Sequence, residues 1–384
     1  MLRQCCLARL RRADVLKAWK HLTQRPRFTA FKTSGVVAAL LIATAQAQPA
    51  RTPTARLVSA PRLDLPAEID SSNPAIWALV DGVQRLFVIS SWGGIPIRAS
   101  GASLESLQAE RPVAFASHPG HGVWMEAIVP DESGAWYGYY HHERPADLCG
   151  RPERQLPRIG AMRSIDNGQT WEDLGIILDA PRGSEACDSS NRFVLGGIGD
   201  VTAALDADHR DVYLYFSQYV RDGRLQGVAV ARIAWADRDA PVGKASIWND
   251  GAWLPASENA SLDIGWDYPS GSPLVRSERP LHDRAGTNDV FWGPSIHWNT
   301  YLDRYVMLLN RAKDDQFGQE GIYVCFSTTL QPQDWSAPTK IMSGGGWYPQ
   351  VIGTEAGAGT DRLAGRRARF FMTGRSERII EFER

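Results

Sequence analysis

Two carboxylates in this chain of 384 residues stand where carboxylates are unusual. Glu126 lies inside the apolar run WMEAIV, and Asp200 closes the glycine-rich GGIGD. An ionised acid among apolar side chains must be paired or must keep its proton. A carboxyl that keeps its proton near neutral pH is what general acid catalysis needs. Asp70, Asp289 and the triplet His141-His142-Glu143 add further acids and imidazoles, though each also reads as an ordinary loop or turn residue. A proton donor with a second carboxylate is the pair that hydrolyses glycosidic bonds, about 5 to 5.5 Å apart in retaining enzymes and roughly 6.5 to 9.5 Å in inverting ones.

Whether these residues meet depends on the elements that carry them. Five segments share one plan, a small or aromatic residue, an apolar strand, a turn and an aromatic-rich strand. They span 72 to 92, 123 to 143, 199 to 219, 292 to 312 and 347 to 375. Third strands follow in IPIRASG, IGAMRSI, GVAVARI and GIYVCFS, and outer strands led by Trp in WEDLGIIL and WSAPTKIM. Repetition at spacings of roughly fifty residues or more signals a propeller or solenoid. The expected fold is therefore all-β, a five-bladed β-propeller of four-stranded antiparallel blades. The last repeat has only RIIEFER as a third strand, and ARLVSAPRL (55 to 63) is free to close the ring from the N-terminal end. That pairing would hide two strand edges.

In a propeller, inner strands begin and second strands end at the same mouth of the central channel. Inner-strand starts bring Asp70, Asn73, Trp124, Glu126, Asp200, Asp289, Trp292, Tyr348 and Gln350 there. Second-strand ends bring Trp92, His141, His142, Glu143, Tyr219, Arg311 and Arg375. Acids among aromatics suit sugar chemistry, with Trp92, Trp124 and Trp292 stacking on sugar faces and Arg311 and Arg375 holding a carboxylate in bidentate fashion. His142, Glu143, Asp289 and Tyr348 complete the expected binding surface. His297, between Ile296 and Trp298, reads as a satisfied core histidine, and DADHRD (206 to 211) as a solvated hairpin.

The first 47 residues form a different region. Nine basic residues and one acid precede the apolar run VVAALLIATA and an Ala-Gln-Ala site, the pattern of a secretory signal peptide cleaved near Ala47. The run is too short to span a membrane. The remaining chain, 48 to 384, reads as a single propeller domain with 33 basic and 42 acidic residues, net −9. That excess argues against nucleic acid and anionic membrane as partners. In an oxidising compartment Cys149 and Cys187 can pair around a 37-residue loop, worth roughly 3 to 4 kcal/mol in the chain-entropy model. Cys325, in a strand pattern, reads as a buried thiol. No CxxC or HExxH motif is present, and neither a metal nor a cofactor is expected.

Residues 164 to 171, SIDNGQTW, carry a resemblance. SxDxGxTW resembles the Asp box (BNR repeat) of sialidases and other bacterial propellers, where it is a turn on the face away from catalysis. By that resemblance Ser164, Asp166, Gly168, Thr170 and Trp171 are structural, and STTLQPQDW (327 to 335) looks like a degenerate copy. The five-blade count, GDVTAALDADHRDVYLYFSQY and STTLQPQDW also resemble the arabinanase and β-xylosidase group of glycoside hydrolases, with Asn73-Pro74 where that group has Asp-Pro. That likeness implies Asp70 as base, Asp200 as the residue that orients and tunes the acid, and Glu126 or Glu143 as the acid. The expectation is a secreted, monomeric glycoside hydrolase acting on a carbohydrate. Two alternatives are a non-catalytic glycan-binding propeller and a sialidase-like exo-glycosidase, which needs three arginines converging on one point.

Overall fold

The computed structural model describes residues 52–120, 122–143, 149–256, 265–279, 281–282 and 287–384. Residues 1–47, expected from their sequence to be a signal peptide, lie outside them. The described residues form five small antiparallel sheets arranged as a five-bladed β-propeller. Inner strands are Ala75–Val80, Gly122–Pro130, Ile198–Leu205, Phe291–Asn299 and Gln350–Gly353. The second strands are Val83–Trp92, Trp136–Glu143, Asp211–Gln218, Arg304–Ala312 and Arg367–Met372. Among the described residues no helix is long and apolar enough to cross a membrane.

Strands such as VYLYFSQ and RYVMLLN lack polar alternation because each blade is covered by a neighbour on both faces, so both sets of side chains are buried. The core is accordingly divided into layers between blades. One layer joins Tyr139 and Ile159 of blade two to Val212, Leu214 and Phe216 of blade three. Another joins Tyr213 and Tyr215 to Met307 and Tyr323 of blade four. The ring closes as the repeats imply: Thr54–Asp64 pairs antiparallel with Arg375–Glu383, from Thr54 opposite Glu383 to Asp64 opposite Arg375.

The structure departs from the sequence reading mainly in the outer strands. Blade four's begins at Thr339, not at Trp335, whose indole instead donates to the Tyr215 hydroxyl at 3.0 Å. Blade one gains Gln108–Pro112, and blade three the hairpin Ser246–Asn249 and Ala252–Pro255. Outer strands are short and largely exposed, so they carry little of the hydrophobic period that marks a strand in sequence.

SIDNGQTW turns the chain between the third and outer strands of blade two. Asp166 Oδ1 accepts from the backbone N–H of Thr170 at 2.9 Å and of Gln169 at 3.1 Å, and the Ser164 hydroxyl accepts from Gly168 N–H at 3.0 Å. Ser164 lies opposite Trp136, at the end of the blade remote from the start of the inner strand. Trp171 is fully buried against Trp136, Phe87 and Met125. Trp171→Ala is expected to cost about 3 to 5 kcal/mol, measured by denaturant unfolding, with no change in the ligand specificity of the opposite face. Cys149 and Cys187 are disulfide-bonded, and Cys325 is a buried free thiol whose pKa burial pushes up to about 12.

Candidate active site

One hydrogen-bond device repeats around the channel. A side chain near the end of each second strand accepts a backbone N–H from the next blade's inner strand. Ser91 accepts from Met125 at 3.0 Å, His141 Nδ1 from Asp200 at 3.2 Å, Ser217 from Gly293 at 2.9 Å and Asn310 from Tyr348 at 3.1 Å. The fifth joint is made by Gln350, whose Oε1 accepts from Asn73 N–H at 2.6 Å. Each inner strand of blades two, three and four also carries one extra residue opposite its partner, at Glu126, around Asp200 and around Gly293. Such bulges re-aim side chains. Asp200, Gly293 and Tyr348, the anchored residues of three consecutive blades, all have left-handed backbone (φ 48°, 57° and 55°). Glycine takes that conformation freely, aspartate tolerates it, and tyrosine pays strain for it, a combination found where function fixes the backbone.

The result is a compact polar cluster. Glu126, His141 and Asp200, all buried, place one donor atom each within 4.8 Å of one another. Val201 N–H donates to Glu126 Oε2 at 2.6 Å, and the Tyr219 hydroxyl donates to Asp200 Oδ2. His141 Nδ1 lies 3.7 Å from Asp200 Oδ1, and its Nε2 lies 3.5 Å from Glu143 Oε1. Asp70 accepts from the Trp124 indole at 2.7 Å through one oxygen and from Gly93 N–H at 3.2 Å through the other. Glycines make room for this packing. A Cβ on Gly199 would fall 2.6 Å from the His141 ring, and one on Gly122 2.6 Å from the Trp124 ring. The glycines before Asp200 thus admit protein atoms.

These contacts set the charges. Burial, and then the neighbouring Asp200 carboxylate, hold the Glu126 carboxyl well above its ordinary pKa. Burial would lower the His141 pKa, but Asp200, Glu143 and Glu126 outweigh it and hold the imidazolium well above its usual value. Burial raises Asp70 modestly against its two N–H donors. The Tyr348 hydroxyl pKa is raised by burial and then by the charges of Asp200, Glu126, Asp70 and Glu143. Burial thus favours the protonated carboxyl at Glu126.

A divalent ion could in principle bridge Glu126, His141 and Asp200 at this spacing. Val201 N–H, Asp200 N–H and the Tyr219 hydroxyl each occupy one acceptor of the set, and His141 Nε2 makes no hydrogen bond among the described residues.

A wall covers one side of the mouth. The loop joining blades two and three, tied by the Cys149–Cys187 bond, reaches blade four where Arg192 N–H donates to Gln316 at 3.1 Å. From this loop Phe193 packs edge-on against Trp347 of blade five at 5.6 Å and tilted on Phe317 at 6.0 Å. Trp92, half exposed beside Gly93, marks the side of blade one, away from the wall.

Several expected site residues lie elsewhere. His142 is buried, accepting from Arg158 at 3.0 Å and facing Gly120 O at 2.6 Å, so it joins strands and does not face a ligand. Asp289 caps the 277–279 segment, accepting from Glu278 and Arg279 N–H at 3.1 and 2.9 Å. Arg311 is paired with Asp289 at 3.6 Å and Glu320 at 3.8 Å. Arg375 opens the third strand of blade five, because the second ends at Met372, and it pairs with Asp64 at 3.2 Å. The two arginines therefore do not converge. Trp292 is buried behind Tyr348 at 5.9 Å and supports it. His297 is a core residue, held neutral by burial to about 3, but its Nε2 makes no hydrogen bond among the described residues. Sequence reasoning placed His141 and Tyr219 at the mouth without giving them roles. The signal available was positional, since His141 aligns with Ser91, Ser217 and Asn310 in their repeats.

Comparison with protein-family models and with curated proteins gives no match. Among solved structures the chain is similar to an endo-arabinase from Bacteroides thetaiotaomicron, with 12% identity, a TM-score of 0.49, and coverage of 83% of this chain and 96% of that one. It is also similar to a thermostable family-43 glycoside hydrolase, with 12% identity, a TM-score of 0.45 and coverage of 83% and 92%. A third is an α-L-arabinofuranosidase from Podospora anserina in complex with cellotriose, with 12% identity, a TM-score of 0.45 and coverage of 86% and 97%.

Proposed function

We propose that this protein is an exported glycoside hydrolase whose chemistry lies at the mouth of the propeller channel where the inner strands begin. The observation that carries the reading is the buried Glu126 carboxyl, beside Asp200 and within the electrostatic reach of Asp70. Glu126 and Asp200 approach within 4.8 Å, too close to stand on opposite sides of a sugar and a water. Asp200 therefore acts on Glu126, keeping its proton in place, and Asp70 is the second carboxylate. In this reading Glu126 gives its proton to the glycosidic oxygen as the C–O bond breaks. Asp70, which accepts from the Trp124 indole and from Gly93 N–H, takes the proton of the attacking water. Trp92, half exposed at the rim, offers a face for a sugar ring, and the Tyr348 hydroxyl feels the field of the acids. Export, with the leader removed near Ala47, fits the Cys149–Cys187 bond, which persists in oxidising compartments.

Screening the mature protein against aryl glycosides and plant and microbial polysaccharides tests the reading. Asp70→Asn and Asp200→Asn are each expected to lower kcat about 100-fold or more on any substrate found. Activity unchanged in both variants would remove the site from the reaction.

A further inference from the structure

Two aromatic side chains stand open at this mouth, on opposite sides, and they are mounted differently. Trp92 ends blade one's second strand beside the Gly93 N–H that Asp70 accepts, and with Ile95 it is about half exposed, so that side is open. Phe193 is nearly as exposed as Trp92, but it stands on the loop between blades two and three. That loop passes over blades three and four, since the Phe193 ring rests on Phe317 of blade four and on Trp347 of blade five. On the glycosidase reading above, on which this rests, we infer that the site takes the end of a glycan chain. The wall stops the chain on one side, Phe193 is the specificity-determining residue that the terminal sugar meets there, and the rest of the chain leaves past Trp92.

The wall is tied on every side. Asn191, fully buried, accepts Phe193 N–H and Val194 N–H through Oδ1, both at 2.7 Å, and its side-chain N–H donates to Asp315 O of blade four. Gln316, from the same blade-four loop, donates to Ser190 O at 3.0 Å and accepts Arg192 N–H at 3.1 Å. At the root of the loop the Ser189 hydroxyl lies 2.6 Å from His282 Nδ1, and the other nitrogen of that ring lies 2.6 Å from Tyr219 O. Segments that open readily are those with few such bonds and contacts, so this one does not step aside for a passing chain. It also reaches the acids. Phe317 packs on Tyr219 at 5.6 Å, and the Tyr219 hydroxyl donates to Asp200, the carboxylate beside Glu126. Two ring contacts thus separate Phe193 from the residue that holds Asp200. Cleavage inside a chain needs room for several sugars on both sides of the scissile bond, whereas cleavage at an end needs it on one side only.

The products of a polysaccharide found by screening test this. One small sugar should accumulate from the start, with little loss of viscosity while reducing ends build up. A spread of long fragments with an early collapse of viscosity overturns the inference and leaves the glycosidase reading standing. Phe193→Ala, at a half-exposed position, is expected to fold and to raise KM about 10-fold, the scale of one apolar contact in a pocket. It should leave kcat within about twofold, as for a contact made equally in ground and transition states. Phe193→Trp should restore KM. A residue that only braced the loop would lower the melting temperature and leave KM unmoved, and that result overturns the role given to Phe193. If the wild-type protein cleaves nothing, its binding of oligosaccharides prepared from the same polysaccharides, read by tryptophan fluorescence, decides. Recognition of an end predicts that capping one terminus abolishes binding and that capping the other does not. Binding indifferent to both caps overturns the inference alone, and neither binding nor cleavage overturns it together with the glycosidase reading.

Discussion

Glu126→Gln is expected to yield a folded protein whose kcat falls by about 10²- to 10⁴-fold, the span that a positioned general acid contributes. Glutamine keeps the oxygen that accepts Val201 N–H, so the link from blade two to blade three survives and the loss is one of chemistry. Stability should move the other way. A carboxyl whose folded pKa lies above its ordinary 4.5 binds more protons folded than unfolded in between, so its contribution is present below that value and is lost as pH rises through the folded pKa. Replacing it removes a loss. Glu126→Gln should therefore equal the wild type near pH 4 and melt higher at pH 8. Thermal unfolding at the two pH values checks this, and a variant that melts lower at pH 8 would mean that Glu126 is ionised and paired in the fold.

Deleting Thr54–Asp64 is expected to abolish cooperative unfolding. The strand supplies the closing edge of blade five, and its partners Ile380 and Phe382 are fully buried. Eight paired positions run from Thr54 to Asp64 with one irregularity between Ser59 and Leu63. At a net 0.5 to 1.5 kcal/mol per hydrogen bond, with Leu57 and Leu63 also uncovered, the cost is on the order of 5 kcal/mol or more. That is comparable to the stability of a whole domain. Circular dichroism and gel filtration of the truncated chain should report broadened melting and self-association. A synthetic TARLVSAPRLD peptide added in trans should restore part of the transition by strand addition. Wild-type melting of the truncated chain would show that the ring does not depend on this closure.

These two expectations draw on features of different legibility. The closing strand was readable because the last repeat lacked a partner and 55 to 63 alternated without one. Glu126 was readable because an acid inside WMEAIV violates local patterning, and such violations gather at functional sites. The misplaced residues failed for a physical reason: a strand end fixes a position, but the final side-chain direction depends on bulges and on the strand's exact last residue. A three-residue difference at the end of blade five's second strand put Arg375 on the third. Arg311 and Asp289 satisfied each other, which no single-position reading can foresee. His141 was visible as a polar residue at the mouth, and its dual attachment emerged only when Asp200 N–H and the Glu143 carboxylate were found on opposite nitrogens. The trio's packing is likewise a property of two blades at once, and the sequence holds its members 15 and 59 positions apart.

The measurement that tests the central claim most directly is the dependence of kcat/KM on leaving-group acidity, across a series of aryl glycosides of the sugar identified by screening. A general acid matters most when the departing oxygen is a poor leaving group. The account predicts a shallow dependence for the wild type and a steep one for Glu126→Gln, with near-normal rates retained for the most acidic phenols. An equal loss across the whole series would show that Glu126 does not protonate the leaving group, and the assignment of the acid would be wrong.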